Sequence, residues 1–345
     1  MARRPASPGS PRPKGPGKWP ADDLARLLAA YAAPAGGDVR VGPAVGVDAA
    51  VVRLGRTDLV VASDPVTFAT DRIGAYAVTV NANDVAVCGA RPRFFIATLL
   101  LPVEAEPDAV EAVFADLADA CRRLDVLLVG GHTECTAGLD RPIVCGTMLG
   151  DLEGREPLSS AGARPGDAAI LTGGAAIEAT ALVAREKGDA LAGRLDAAVL
   201  ARARDFLADP GISVVEAARV ARVAGAHALH DVTEGGVVTG LWEMAEASGL
   251  GLDVSADAIP VRDETRAVCE AAGIDPLEAI GSGALVVAVG ASAAADMIRA
   301  LASAGVEAAH VGAFGPEGGA RRITRAGRTG PLVPPGRDAV AALYD

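Results

Sequence analysis

The order of short apolar strands and longer helices is the feature that most constrains the fold of this chain. In its first half the pattern predicts a helix at 22–31, an amphipathic helix at 71–88 and a helix at 107–124. Strands are predicted at 45–54, 58–62, 94–101, 126–129 and 143–149. This order predicts an α+β domain in which helices pack on one mixed sheet.

A stretch rich in Gly and Pro at 153–166 interrupts this order and is interpreted as a linker. Beyond it the pattern predicts strands at 168–171, 226–229, 250–254, 284–289 and 308–311. Helices are predicted from about residue 175 and at 196–208, 212–224, 236–247, 261–272 and 292–304. We therefore expect an N-terminal domain at 21–152 and a C-terminal α/β sandwich domain at 167–345.

Charge and cysteine usage exclude several classes of function. The net charge is −12, which argues against nucleic acid or an anionic membrane as the main partner. No apolar run is long enough to span a bilayer, and because residues 1–20 contain no apolar h-region, no signal peptide is expected there. The five cysteines form no C-x-x-C pair, which is typical of a reducing, cytoplasmic location.

Residues 1–20 differ from the rest of the chain, because they contain Arg and Lys but no acid. This composition predicts a disordered basic tail. The tail is either a dispensable extension or a weak contact for an acidic partner.

The usual phosphate-binding signatures are absent. The chain has no G-x-x-x-x-G-K-[ST] motif and no G-x-G-x-x-G motif after a strand. Its only lysines are Lys14, Lys18 and Lys187. Any bound phosphate must therefore be neutralised by metal, arginine and backbone N–H groups.

Three acids stand where strands or helices are predicted to end. Asp48 lies among small residues after Gly46, Asp64 precedes a proline, and Asp84 follows Asn83 near the end of an apolar helix. Carboxylates of this kind can converge on Mg²⁺, which prefers oxygen ligands. Taken singly, each also fits an ordinary cap or turn.

Two Gly-rich stretches complete the set of candidates. The first contains Gly130, Gly131, His132, Thr133 and Glu134, directly after a predicted strand. Its glycines permit close approach of a ligand to the backbone. His132 fits either a donor or an ordinary structural histidine.

The second stretch runs from His230 to Gly236 and lies between a predicted strand and a helix. It contains Asp231, Glu234 and Gly235. A turn of this type is a natural anion site, although a helix N-cap by Asp231 or Thr233 gives a similar sequence.

Together with Ser63–Val66, Asn83–Ala90 and Gly281–Leu285, these stretches resemble the AIR synthase (PurM-like) superfamily, and most closely its HypE-like members. The resemblance implies a two-domain PurM-like fold and a homodimer formed by the N-terminal sheets. It also implies ATP and Mg²⁺ as cofactors, with the γ-phosphate used to activate an amide-type oxygen.

The resemblance also implies roles for individual residues. Asp48, Asp64 and Asp84 are expected to hold the metal. Asp84, Asp231 and Glu234 are expected to be catalytic. The nucleotide is expected to contact the following residues: Gly46, Asp48, Asp64, Asn83, Gly130, Gly131, Thr133, Gly235 and Gly236. Asp231 and the Gly235–Gly236 turn are also expected to lie on the substrate side or to close the cleft.

Three features depart from the pattern of HypE-like proteins. The last residues, Ala341–Asp345, contain no terminal cysteine, so carbamoyl dehydration in its usual form is not expected. Val47 replaces a frequent second acid before Asp48. His132 replaces a frequent acid after the two glycines, a position for which Glu134 is a candidate substitute.

Three functions follow from the sequence. The first is an ATP-dependent enzyme that acts on a small-molecule or protein-borne group. The second is a non-catalytic nucleotide-binding maturation or scaffold protein with a partner protein. The third is a thiamine-monophosphate kinase, which the C-terminal motifs fit less well.

Overall fold

The computed structural model describes residue 19, residues 21–33 and residues 35–344. The basic tail predicted at residues 1–20 therefore lies outside the described residues, apart from Trp19. Within the described ranges, no helix combines the length and the apolar character needed to cross a lipid bilayer.

The first half of the chain forms a mixed sheet covered by helices, as predicted. Its helices are α1 (Ala21–Tyr31), α2 (Ile73–Val87) and α3 (Pro107–Arg123). Its strands are β1 (Val39–Val41), β2 (Ala50–Leu54), β3 (Thr57–Ala62), β4 (Pro65–Val66), β5 (Arg91–Leu101), β6 (Leu127–Cys135) and β7 (Ile143–Asp151). The strand order is β1-β2-β3-β7-β5-β6, and β4 pairs with β7.

The second half forms another sheet, with strand order β14-β13-β10-β12-β8-β11-β9. These strands are β8 (Asp167–Thr172), β9 (Ala228–Asp231), β10 (Leu250–Ser255), β11 (Leu285–Gly290), β12 (Ala308–Glu317), β13 (Arg321–Arg325) and β14 (Arg328–Pro331). The helices are α4 (Ile177–Glu186), α5 (Gly188–Leu191), α6 (Ala197–Asp205), α7 (Val215–Val223), α8 (Gly236–Ala247), α9 (Asp263–Ala272) and α10 (Ala294–Ser303).

Helix α2 is buried on all sides, so the prediction of an amphipathic helix at this position is wrong. One part of the helix packs on the first sheet, with Val85 in the same core as Phe95. Its C-terminal residues Ala86 and Val87 belong instead to a core with Ile170 of the second sheet. A helix that lies between two layers has no solvent-exposed face, which explains why apolar residues occupy most of its positions on every side.

Two asparagines in α2 hold neighbouring segments by their side-chain amides. Asn81 pairs with the main chain of Asp64, accepting from its N–H at 2.9 Å and donating to its carbonyl at 3.1 Å. Asn83 donates to the carbonyl of Ile212 at 2.9 Å and accepts from the N–H of Val214 at 2.8 Å. These contacts show that Asn83 links α2 to the second half of the chain, and its expected contact with a nucleotide stays a prediction.

Two predicted strand boundaries change the setting of candidate residues. The strand predicted at 45–54 is β2, which begins at Ala50 and not at residue 45, because Gly46 has a left-handed φ of 78° and turns the chain. Asp48 therefore lies in the short loop between this turn and β2. Strand β6 continues through Gly130 to Glu134, so the first Gly-rich stretch lies within a strand and not after it.

Replacing Asn83 with alanine removes both of its hydrogen bonds and leaves two buried main-chain groups without them. We expect the free energy of unfolding to fall by about 2 to 5 kcal/mol, since each unsatisfied buried group costs roughly 1–3 kcal/mol. Urea unfolding followed by circular dichroism measures this loss.

Thr79→Ala is the matched control for Asn83→Ala, because the Thr79 hydroxyl bonds only to Ala75 within the same helix. We expect the control to lose less than about 1 kcal/mol. Equal urea midpoints for wild type and Asn83→Ala contradict the packing role.

Candidate functional site

A buried histidine joins the two halves of the chain at the centre of the candidate site. His230 lies on β9 and is 3% exposed. Its Nδ1 lies 2.9 Å from Asp48 Oδ2, and its Nε2 lies 3.0 Å from Glu243 Oε2 on α8. The Ser160 hydroxyl donates to the same Asp48 oxygen at 3.0 Å. Asp48 is therefore held from two sides.

The charge state of His230 follows from this arrangement. Burial alone lowers the pKa of an imidazole, but the charge of Asp48 and the hydrogen bonds to Asp48 and Glu243 outweigh burial. They raise the pKa of His230 well above its ordinary value. The imidazolium consequently donates from both ring nitrogens and orients the two carboxylates.

Asp231, the next residue on β9, completes a group of potential metal ligands. One ligand atom from each of Asp48, His230 and Asp231 lies within 4.8 Å of the others. Asp231 is 1% exposed and Asp48 is partly buried. Carboxylate oxygens at this spacing suit a hard divalent cation.

Asp84 approaches the same region from α2. It is 5% exposed and lies one helical turn before Cys88. Burial raises the pKa of the Cys88 thiol, and the charges of Asp48, Asp84 and Asp231 raise it further. The charges of all three carboxylates therefore act on the Cys88 thiol, which places Asp84 in the same region, although Asp84 lies outside the 4.8 Å group.

Asp64 is placed differently from the other two predicted metal ligands. Its main chain is fixed by Asn81, and its side chain is exposed at the end of β3. It also lies outside the 4.8 Å group. Of the three expected metal ligands, the structure therefore places only Asp48 in that group.

The first Gly-rich stretch belongs to an exposed edge strand. Strand β6 lies beside β5, and both β5 and β7 separate it from β3. A groove of about 270 Å³ between β6 and α3 is lined by Gly130, Gly131 and Thr133, among others. Gly131 has a φ of 153°, and a Cβ there would lie 1.9 Å from the Ala97 carbonyl oxygen. The edge therefore requires glycine for strand pairing.

His132 and Glu134 interact with each other at this edge. The Nε2 atom of His132 lies 3.0 Å from Glu134 Oε2, and this hydrogen bond lowers the pKa of Glu134. Both side chains are exposed. Although His132 replaces the acid that is frequent after the two glycines, Glu134 still provides an acid two residues later in the same strand.

The second Gly-rich stretch forms the start of α8. Gly235 and Gly236 both have left-handed φ values, 78° and 65°. A Cβ at Gly236 would lie 2.6 Å from the Leu277 carbonyl oxygen. The Gly235 N–H donates to the Asp338 carboxylate at 2.6 Å, so an acid does occupy this helix N-terminus.

Sequence reasoning missed several residues of the site. Ser160 lies in the stretch that the sequence predicts to be a linker. Glu243 lies two helical turns after Gly236, and this spacing places it on the face of α8 toward β9. Glu178 in the first turn of α4 is 6% exposed. Burial raises the pKa of Glu178 to about 7, although Ser282 opposes the shift.

Replacing Glu243 with alanine leaves His230 with one of its two carboxylate partners. We expect the free energy of unfolding to fall by about 3 kcal/mol, because removing one member of a buried ion pair leaves the other uncompensated. Chemical unfolding measures this change. The control is Glu246→Ala on the same helix, an exposed partner of Arg321, with an expected loss below about 1 kcal/mol.

The effect of Glu243→Ala also depends on pH. The folded state raises the pKa of His230 above 6.5, so its ion pairs stabilise the fold fully below that value. This stabilisation is lost as pH rises through the raised pKa. The difference from wild type is expected to be larger at about pH 6 than at about pH 9; a difference that grows with pH contradicts the assignment.

Comparison with known families covers both halves of the chain. Residues 46–152 match the family described as AIR synthase related protein, N-terminal domain. Residues 164–324 match AIR synthase related protein, C-terminal domain. The two matches occur in the order that the resemblance of the sequence motifs predicts.

Individual proteins that are similar to this chain are HypE proteins. Carbamoyl dehydratase HypE of Escherichia coli K12 is 30% identical over 255 residues, which cover 72% of this chain and 72% of that protein. The crystal structure of hydrogenase maturation protein HypE in complex with ATP is 26% identical, with a TM-score of 0.69 over 82% of this chain and 87% of the other.

A HypE–HypF complex contains a chain with the same fold, at 22% identity and a TM-score of 0.69 over 84% of this chain and 94% of that one. The chain therefore belongs to the AIR synthase related family, as a HypE-like protein with the two-domain PurM-like fold.

Proposed function

We propose that this protein is an ATP- and Mg²⁺-dependent enzyme that uses the γ-phosphate to activate an amide-type or similar oxygen of its substrate. The observation that supports this most directly is the meeting of Asp48 and Asp231, from different halves of the chain, around His230. The relative whose structure was solved in complex with ATP supports the choice of nucleotide.

The donor set fits Mg²⁺. Asp48 and Asp231 offer carboxylate oxygens, and Asp84 lies close enough to act on the same Cys88 thiol. The protonated His230 is a donor rather than a metal ligand in this arrangement, and it fixes the orientation of Asp48. We propose that Asp48, Asp84 and Asp231 hold the metal. Asp64 is exposed and lies outside the 4.8 Å group, so its role as a ligand stays a prediction. When bound, Mg²⁺ neutralises phosphate charge.

Ammonium groups contribute little to this scheme. Lys187 is the single lysine in the described residues, and its Nζ lies 4.3 Å from the centre of the Tyr344 ring. The carboxylate-held metal, arginine side chains and backbone N–H groups therefore supply most of the stabilisation of the transferring phosphate in this proposal. In this proposal Asp84, Asp231 and Glu234 orient the reacting groups, while Gly235 and Gly236 face the substrate.

The identity of the acceptor is constrained by the cysteines. Residues 332–344 contain no cysteine. Cys269 is buried in α9, where burial and Asp275 raise its pKa to about 12. Neither position offers an accessible thiolate. Cys135 is exposed, but it lies on the edge strand β6 and outside the group of Asp48, His230 and Asp231. We therefore place the activated oxygen on a small molecule or on a partner protein.

Titration calorimetry of ATP with Mg²⁺ tests the proposed site. We expect saturable binding to the wild type, and at least about tenfold weaker binding after Asp84→Asn, because the metal loses a charged ligand. The control is Asp253→Asn, which changes an exposed acid on β10. Binding that is absent in the wild type, or equal in Asp84→Asn, contradicts the proposal.

A non-catalytic nucleotide-binding scaffold remains the second candidate. Phosphate release from ATP, measured with the wild type alone and with a HypF-type maturation protein, separates the two functions. The HypE–HypF complex motivates this choice of partner. Tight binding without phosphate release favours the scaffold, and product formation from thiamine monophosphate favours a kinase.

The edge strand β6 supports a homodimer as the assembly. Leu127 and Val129 are 62% and 54% exposed, and all nine residues of β6 are exposed along a sheet edge. An apolar open edge of this length favours pairing with another strand. We propose that a second copy of this chain covers β6.

Replacing Val129 with aspartate tests the dimer. We expect the molar mass in solution to fall from twice that of the chain to that of one chain, because a charge is then buried at the interface. Light scattering after size exclusion measures the mass. The control is Val223→Asp at the end of α7, 73% exposed. A wild type that is monomeric contradicts this proposal.

A further inference from the structure

A buried carboxyl group lies close to the segment that carries Asp231. Glu178 is in the first turn of α4 and is 6% exposed. It is not one of the proposed metal ligands or catalytic acids. A carboxyl group buried to this extent is costly in its ionised form unless hydrogen bonds or opposite charges compensate it.

Main-chain contacts place Glu178 against the loop at 280–283. The N–H of Ala179, the next residue on α4, donates to the Ile280 carbonyl at 3.0 Å. The hydroxyl and the main-chain N–H of Ser282 both form hydrogen bonds to the Glu178 carboxyl group, and both favour its ionised form. Ser282 is itself 1% exposed. The carboxyl group is therefore enclosed between α4 and this loop.

The same loop is bonded to the segment that carries Asp231. The Gly281 N–H donates to the Thr233 carbonyl at 3.2 Å, and the Val232 N–H donates to the Ala284 carbonyl at 3.0 Å. Val232 and Thr233 directly follow Asp231, the last residue of β9. The loop that contacts Glu178 therefore also supports one of the proposed metal ligands.

Two further carboxylates act on Glu178. Burial has the largest effect on its pKa, and the charges of Asp338 and Glu234 add to that effect. The hydrogen bonds from Ser282 oppose them, and the pKa is raised to about 7. Glu178 consequently changes its charge near neutral pH, beside an acid of the proposed substrate side, Glu234.

A buried hydroxyl group is coupled to Glu178 from the first half of the chain. Tyr76 lies on α2 and is 1% exposed, and its hydroxyl has no hydrogen-bond partner among the described residues. Burial raises the pKa of Tyr76, and the charge of Glu178 raises it further. Tyr76 therefore stays neutral wherever Glu178 titrates. The titratable groups coupled to Glu178 thus come from three segments: Tyr76, Glu234 and Asp338.

We propose that Glu178 controls the charge of the substrate side of the proposed site: an anionic ligand binds with Glu178 protonated, and ionised Glu178 opposes binding. Ionisation adds a third carboxylate to Glu234 and Asp338, which increases the repulsion of phosphate groups. The proton comes from solvent and stays on the Glu178 carboxyl group, which acts through its charge and does not touch the reacting atoms. The inference rests on the proposed function, in which Glu234 lies beside the substrate.

Titration calorimetry of ATP with Mg²⁺ on the full chain, at about pH 6 and about pH 8, tests the inference. Because the protonated form binds, wild-type affinity is highest below the pKa of Glu178 and falls as pH rises through about 7. Glu178→Gln keeps the size of the side chain and stays neutral at both pH values. We expect it to bind as the wild type does at about pH 6, and at least about fivefold more tightly than the wild type at about pH 8.

Ser282→Ala gives a second test with a defined sign. It removes a hydrogen bond that favours the ionised carboxyl group, so the pKa of Glu178 rises further. The pH at which ATP affinity falls is therefore expected to move upward relative to the wild type. A purely structural role of Ser282 changes the affinity equally at all pH values, and an unchanged midpoint overturns the inference.

The control is Glu270→Gln, which alters an exposed acid on α9. It is expected to keep the pH dependence of the wild type. Equal affinities of wild type and Glu178→Gln at about pH 8 overturn the inference, as does a ratio of affinities that is the same at both pH values.

A parallel titration with inorganic pyrophosphate and Mg²⁺ separates this inference from the proposed function. ATP binding that does not depend on Glu178 leaves the function standing and refutes the charge control. Pyrophosphate binding that depends on pH through Glu178, in a protein that binds no ATP, supports the charge control and refutes the nucleotide chemistry. Binding of neither ligand overturns both.

Discussion

The ion pairs of one buried histidine connect the parts of this protein on which its site depends. His230 comes from the second sheet, Asp48 from a loop of the first domain and Glu243 from α8. Each buried charge is tolerated because the others compensate it. The same contacts fix Asp48 beside Asp231, so the interaction that joins the halves also positions the proposed metal ligands.

Helix α2 packs against both halves and so holds the residues around His230 in place. It lies between the two halves, and its apolar residues belong to the cores of both. Its two asparagines fix the chain at Asp64 and around Ile212, while Asp84 extends toward the same thiol as Asp48. Polar side chains in a buried helix need hydrogen-bond partners. The asparagines of α2 find theirs in neighbouring main-chain groups, so part of what resembles a functional motif in the sequence holds the two halves together.

The sequence predicted the α+β fold and most of the helices and strands, because periodicity and turn residues are local signals. It was wrong about the exposure of α2, since burial from both sides depends on the second domain. It placed the Gly130–Glu134 stretch after a strand, whereas pairing with β5 extends β6 through it. Glu178 and Ser160 carried no local signal, because their importance comes from burial among distant residues.

The sequence by itself determined which residue types stand at the candidate positions: acids at 48, 84 and 231, glycines where left-handed turns are needed, and very few lysines. These are properties of residue type and neighbouring residues, which a linear pattern contains. Only the tertiary structure decided that His230 is charged and shared between two carboxylates, that Asn83 links α2 to the second half of the chain, and that Asp338 lies on α8. Most of these contacts join residues more than a hundred positions apart, such as His230 and Asp48 or Asn83 and Ile212, and no local pattern encodes them.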